Sequence, residues 1–126
     1  MLREEILQCL TGSTRTEDGA AVSRYRFPAT LTCFQGHFPG APVLPGVCTI
    51  QAAILTAESE RGQRLRLASI RSAKFHAFVS PGEELEFTCR FLPGAPDALL
   101  LKASVLCSGR KIAELSLQVE PAGEQP

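Results

Sequence analysis

Hydrophobic spacing divides the chain into stretches of different period. From Val47 to about Arg61 there is neither proline nor glycine, and Val47, Ile50, Ala53, Ile54 and Ala57 recur at helical spacing. The first three turns are alanine-rich and largely uncharged, which predicts a buried helix, and Gly62 is placed to stop it. Downstream the period changes to two. Leu85, Phe87, Cys89 and Phe91 alternate with Glu84, Glu86, Thr88 and Arg90. Ala113, Leu115, Leu117 and Val119 alternate in the same way with Ile112, Glu114, Ser116 and Gln118. Each pattern predicts a strand with one buried face. Residues 65–79 and 98–107 are also strand-like, with turns at Ser80-Pro81-Gly82, Pro93–Asp97 and Ser108-Gly109-Arg110.

The N-terminal third is less patterned. Residues 5–11 and 20–27 read as two strands joined across Gly12–Gly19, with a short helix starting in Arg3–Leu10 as the alternative. Residues 34–46 hold Gly36, Gly40 and Gly46 together with Pro39, Pro42 and Pro45. Each proline fixes φ and removes an N–H donor, so this segment is expected as an ordered loop or an extended wrap. The order is strands, loop, one long helix, then an antiparallel meander of about four strands. The single apolar helix is the only cover for the greasy face of the sheet. The expected class is α+β, a curved antiparallel sheet wrapped around one long central helix. One domain is expected over residues 1–120, with 121–126 a flexible tail lacking large apolar anchors.

Composition narrows the function classes. The chain has 126 residues, with 13 basic and 13 acidic side chains, so no global field favours nucleic acid or an anionic membrane. Mean hydropathy is near zero at +0.06, and no apolar run reaches bilayer length. The acidic start, Met1–Ile6, lacks the apolar stretch of a signal peptide, so a cytoplasmic protein is expected. Cys9, Cys33, Cys48, Cys89 and Cys107 are scattered and odd in number, which argues against a disulfide framework or a zinc site. They are read as structural, and Cys89 and Cys107, within apolar alternations, as small buried hydrophobes.

The candidate chemistry centres on His37, in Phe34-Gln35-Gly36-His37-Phe38-Pro39-Gly40. Flanking glycines and prolines restrict the loop, and Phe34 and Phe38 can partly desolvate the ring. A histidine held neutral in this way is suited to be a general base. His76, among Phe75, Ala77 and Phe78, is read as structural.

Residues 36–47, Gly-His-Phe-Pro-Gly-Ala-Pro-Val-Leu-Pro-Gly-Val, resemble the active-site segment of the (3R)-hydroxyacyl-acyl-carrier-protein dehydratases of the FabA/FabZ type. The stretch Ala73–Leu85, with its Pro81-Gly82 turn, resembles that family's second recurrent block. The resemblance implies a hot-dog fold and a dimer or higher homo-oligomer. It implies an acyl-thioester substrate carried on the phosphopantetheine of acyl carrier protein or coenzyme A, with no other cofactor and no metal. His37 would take the α-proton, oriented by the carbonyl of Val43. The amide of Gly46 would donate to the thioester oxygen, and Phe34, Phe38, Val43, Pro45 and Val47 would line the acyl site.

One position departs from the family. The second catalytic group, an acid fourteen residues after the histidine, is here Gln51. An amide exchanges no proton near neutral pH. Glu58 lies on a similar helix face, but seven residues on it stands about 10 Å further along the axis. Three outcomes follow: a slower or specialised dehydratase, a thioesterase in which Gln51 positions water, or a non-catalytic thioester binder, including the inactive half of a hetero-oligomer. Arg61, Arg64, Arg66, Arg71 and Lys74 are read either as a docking patch for an acidic carrier or as a solvated face.

Overall fold

A computed structural model describes residues 2–31, 34, 43–92 and 99–122. His37 and Phe38, most of the 34–46 loop, Cys33, the Pro93–Asp97 turn and the end of the tail lie outside the described residues. The elements are α1 (Leu2–Leu7), β1 (Arg15–Glu17), β2 (Ala20–Arg26), α2 (Gly46–Arg61), β3 (Leu65–Phe75), β4 (Glu84–Leu92), β5 (Leu99–Cys107) and β6 (Arg110–Pro121). The strands form one antiparallel sheet in the order β1-β2-β4-β5-β6-β3, and α2 packs against one face. The α+β hot-dog expectation therefore holds.

The alternations place the strands' inner faces as expected. Leu85, Phe87, Cys89, Leu101, Ala103, Val105, Leu115, Leu117 and Val119 are all buried beneath the helix. Tyr25 stacks on Phe27 at 5.8 Å and meets Phe87 edge-on at 5.3 Å. Fully burying one such side chain contributes about 1.5–3 kcal/mol, so this layer supplies most of the cohesion. Helix α2 is buried over more than one stripe: Cys48, Thr49 and every residue from Ala52 to Glu58 are covered. Gly62 ends it in the left-handed region (φ 68°), where its amide donates to the Glu58 carbonyl at 2.8 Å.

Three sequence readings need correction. The four downstream strands are not a continuous meander: β3 pairs with β6 at the far edge, and β4 pairs with β2. Alternation reports which face of a strand is buried and carries no information on its neighbour. Residues 5–11 do not form a strand, because Leu2–Leu7 is helical and buries Ile6. A short strand, Arg15–Glu17, sits inside the predicted connection and turns back through Asp18 and Gly19, both at positive φ. Pairing of β6 with β3 reaches Pro121, which lies opposite Leu65.

The two edges of the sheet differ. Edge strand β1 has three residues, all exposed. At the other edge β3 runs for eleven residues and is exposed along nearly its whole length, including Leu67, Ile70 and Phe75.

Candidate active site

The start of α2 is unusually open. Pro45 precedes it in an extended conformation (φ −65°, ψ 145°) and supplies no side-chain cap. Its carbonyl accepts from the amides of Cys48 (3.0 Å) and Thr49 (3.4 Å). The amides of Gly46 and Val47 have no acceptor among the described residues. The first amides of a helix lack internal partners and carry the positive end of its dipole, so together they can bind a carbonyl oxygen that gains negative charge. The entry segment is pinned by the Leu44 amide, which donates to the Val79 carbonyl at 2.8 Å. Val43 and Pro45 are half-buried on either side of it.

Phe75, at the end of β3, lies across this helix start. A Cβ built on Gly46 would stand 2.9 Å from Phe75 Cζ, closer than real contacts allow. Glycine at 46 is what admits the ring. Phe75 remains half exposed, so it walls the space before the helix without filling it. Its part in the site was not read from the sequence, because the contact joins residues 29 positions apart. The only available signal was the alternation that turns Ala73 and Phe75 to the helix side of β3.

One turn further on, Val47 (61% exposed), Ile50 and Gln51 form the one incompletely covered face of the helix interior. Gln51 is half-buried, and its side chain has no hydrogen-bond partner among the described residues. Cys48, adjacent in sequence, is fully buried and turned to the core. Phe34 is also buried, in the main apolar cluster. His37 and Phe38 lie outside the described residues; among the described ones Gly46 meets Phe75, with Val43 and Pro45 before it in the chain and Val47 and Gln51 following on the helix.

The other acids near the helix are engaged elsewhere. Glu58 is held by Arg3 through contacts of 2.7 and 3.0 Å, and it also accepts the Leu65 amide at 2.9 Å. It fastens α1, α2 and β3 together and is not a proton donor for the open end of the helix. His76 Nε2 meets Glu114 Oε2 at 2.9 Å on the exposed sheet surface. His76, followed by Lys111, holds the Glu114 carboxyl below the usual carboxylate range. Among the described residues no group of His, Cys, Asp and Glu side chains is arranged to hold a metal ion. Among the described residues no helix is long and apolar enough to cross a membrane.

The five clustered cations do not form one patch. Arg61 lies over the Phe91 ring at 4.9 Å, and Arg66 is bound to Glu120 at 2.6 Å. Lys74 lies eight residues along the strand from Arg66, roughly 26 Å at 3.3 Å per residue.

Residues 13–110 match the ApeI-like dehydratase family. A 3-hydroxyacyl-[acyl-carrier-protein] dehydratase FabZ of Clostridium botulinum is 33% identical over 112 residues, 82% of this chain and 78% of that protein. FabZ of Latilactobacillus sakei is 40% identical over 73 residues, 52% of each chain, so this chain spans about half the length of that relative. Among solved structures, the dehydratase heterocomplex ApeI:P of Xenorhabdus doucetiae superposes with a TM-score of 0.70 at 21% identity, covering 88% of this chain and 96% of that one. A hypothetical thioesterase with coenzyme A from Streptococcus pneumoniae reaches 0.71 at 8% identity, covering 99% and 97%. At these identities the two structures speak for the fold alone. The sequence matches go further, and the chain belongs to the ApeI-like dehydratase family.

Proposed function

We propose that this protein acts on 3-hydroxyacyl thioesters as a dehydratase specialised by Gln51, with the thioester carried by acyl carrier protein or coenzyme A in the cytoplasm. The observation that carries this reading is the open end of α2. There, among the described residues, the Gly46 amide has no acceptor, Phe75 of β3 lies against Gly46, and Gln51 in the second turn has no partner. His37 is assigned the base by its place in the family's motif. In the reaction its neutral imidazole takes the α-proton, and the Gly46 amide stabilises the enolate oxygen. The C3–O bond then breaks, and the departing hydroxyl leaves as water after receiving a proton. Gln51 can orient that hydroxyl by a hydrogen bond but cannot supply the proton. The imidazolium of His37 is therefore assigned to return the proton it took, and no other cofactor takes part.

The working unit is proposed to be a dimer or larger assembly. Edge strand β3 leaves its backbone groups open along eleven residues and turns Leu67, Ile70 and Phe75 toward solvent beside the exposed Val47. A long apolar edge invites a second chain. A second reading is favoured by Gln51 itself: the partner chain is a paralogue bearing the missing acid. ApeI of Xenorhabdus doucetiae has been solved in a heterocomplex.

Two measurements test this. Light scattering at micromolar concentration is expected to find at least a dimer, and a stable folded monomer would contradict the assembly. Incubation with a 3-hydroxyacyl thioester is expected to produce the absorbance of a conjugated enoyl thioester, abolished by His37→Ala. Release of free thiol without that absorbance would instead identify a thioesterase.

A further inference from the structure

The face of the sheet opposite α2 is unrelated to the open helix end, and its charges do not balance locally. Strand register places two polar rungs across four strands. One is Thr88–Ser104–Glu114–Lys74 and the other Arg90–Lys102–Ser116–Ser72. These eight residues line a shallow depression of about 280 Å³. At about 30 Å³ per water molecule, that is room for a small anion and several waters.

The glutamates near this surface are already engaged. Glu86 is paired with Arg24 and Arg15, Glu84 with Arg26, Glu120 with Arg66, and Glu114 with His76 and Lys111. Among the described residues Lys74 and Lys102 have no carboxylate partner, and Arg90 is bound only to the carbonyl of Asp18. Arg90 and Lys102 also stand directly opposite one another on β4 and β5. Like charges in that position repel, with Cβ atoms about 5 Å apart. Arg90 relieves this by turning its guanidinium to the Asp18 carbonyl, away from β5, which leaves Lys102 among serine and threonine hydroxyls. Three cations against one already-paired carboxylate give the depression a positive field, and the hydroxyls add neutral donors.

We infer that this depression is a binding site for a phosphate-bearing anion, held by Lys102, Arg90 and Lys74 with hydrogen bonds from Ser104 and Ser116. A phosphate dianion would lie beside Lys102, within reach of the long side chains of Arg90 and Lys74. Charge-assisted bonds of this kind are about twice as strong as neutral ones. The shared chemistry is a phosphomonoester, supplied either free or by the nucleotide end of a thioester carrier.

The test is an amide NMR titration of the intact protein with inorganic phosphate at constant ionic strength, against chloride. Saturable shifts confined to Ser72, Thr88, Ser104, Ser116 and their neighbours are expected. Lys102→Gln, an exposed change whose fold is checked in the same spectrum, should weaken binding about tenfold, the loss of one charged contact. Coenzyme A and its 3′-dephospho form identify the source. Saturation of the same amides by coenzyme A at lower concentration than phosphate, lost in the dephospho form, assigns the site to the carrier's nucleotide. Equal response to coenzyme A and phosphate assigns it to free phosphomonoesters. Shifts that are linear, that chloride reproduces, or that survive Lys102→Gln unchanged would overturn the proposal.

Discussion

The two ends of α2 are completed in opposite ways. At its C-terminal half every residue from Ala52 to Glu58 is buried, and polar groups there have partners. Glu58 binds Arg3 and the Leu65 amide, Thr56 donates to the Ala52 carbonyl at 2.9 Å and meets the Tyr25 hydroxyl at 3.4 Å, and Cys89 Sγ approaches the Ala53 carbonyl at 3.5 Å. Among the described residues, the Gly46 and Val47 amides at its N-terminal end have no acceptor, Gln51 has no partner, and Val47 faces outward. One half of the helix holds the fold, and the other carries the proposed site. Changes in the first half should move stability and changes in the second should move turnover.

The largest expected effect on folding is Glu58→Ala. It removes both Arg3 contacts and leaves the Leu65 amide without an acceptor, at a cost of about 2 kcal/mol. Denaturant unfolding should show a lower midpoint. An equally large loss of activity in protein that remains folded would break the division between the two halves.

Next is Ile70→Lys on the exposed edge of β3. A lysine on an edge strand opposes pairing with a second chain. Light scattering should show dissociation at least tenfold easier, about 1.4 kcal/mol, with circular dichroism unchanged. If the assembly persists, β3 is not the interface.

Gly46→Ala tests the open end. The added Cβ forces the Phe75 ring outward. Alanine gains up to about 1 kcal/mol in helix propensity, which offsets the lost contact, so thermal stability should stay nearly constant. Turnover should fall about tenfold, because a misplaced wall disturbs substrate alignment. A destabilised protein with normal turnover would make Phe75 a packing residue only.

The smallest effect concerns pH. Burial pushes the Cys89 thiol up to about 12 from 9.0, and the Tyr25 hydroxyl up to about 12 from 10.0. Both are neutral when folded, and the unfolded chain releases their protons first. The stability they contribute is complete below about pH 9 and declines as pH rises toward 12. Alkaline titration of stability should show this slope, and Cys89→Ala should flatten it. An unchanged slope would remove Cys89 from the account.

Legibility followed the same division. The extent of α2 was readable because Val47–Arg61 lacks proline and glycine, and β4 and β6 were readable because one face of each is wholly apolar. Helix α1 was ambiguous because six residues barely define a period. Strand β1 was missed because three polar residues define none, although Asp18-Gly19 marks its turn. The partner of β3 could not be read at all, since register depends on residues some 50 positions away. At the site, Gly46 and Gln51 came from a local motif. Phe75 required the fold, because only the closure of β3 onto β6 brings it to the helix start.

The most direct measurement compares the rates of enoyl-thioester hydration and 3-hydroxyacyl-thioester dehydration for the wild-type protein and Gln51→Glu. If the open end of α2 is a dehydratase site lacking its acid, the wild type catalyses both directions slowly. The restored carboxyl then accelerates both by about 10²-fold, the scale of a positioned general acid. Equal rates in the two proteins, or thiol release without enoyl formation, would contradict that account.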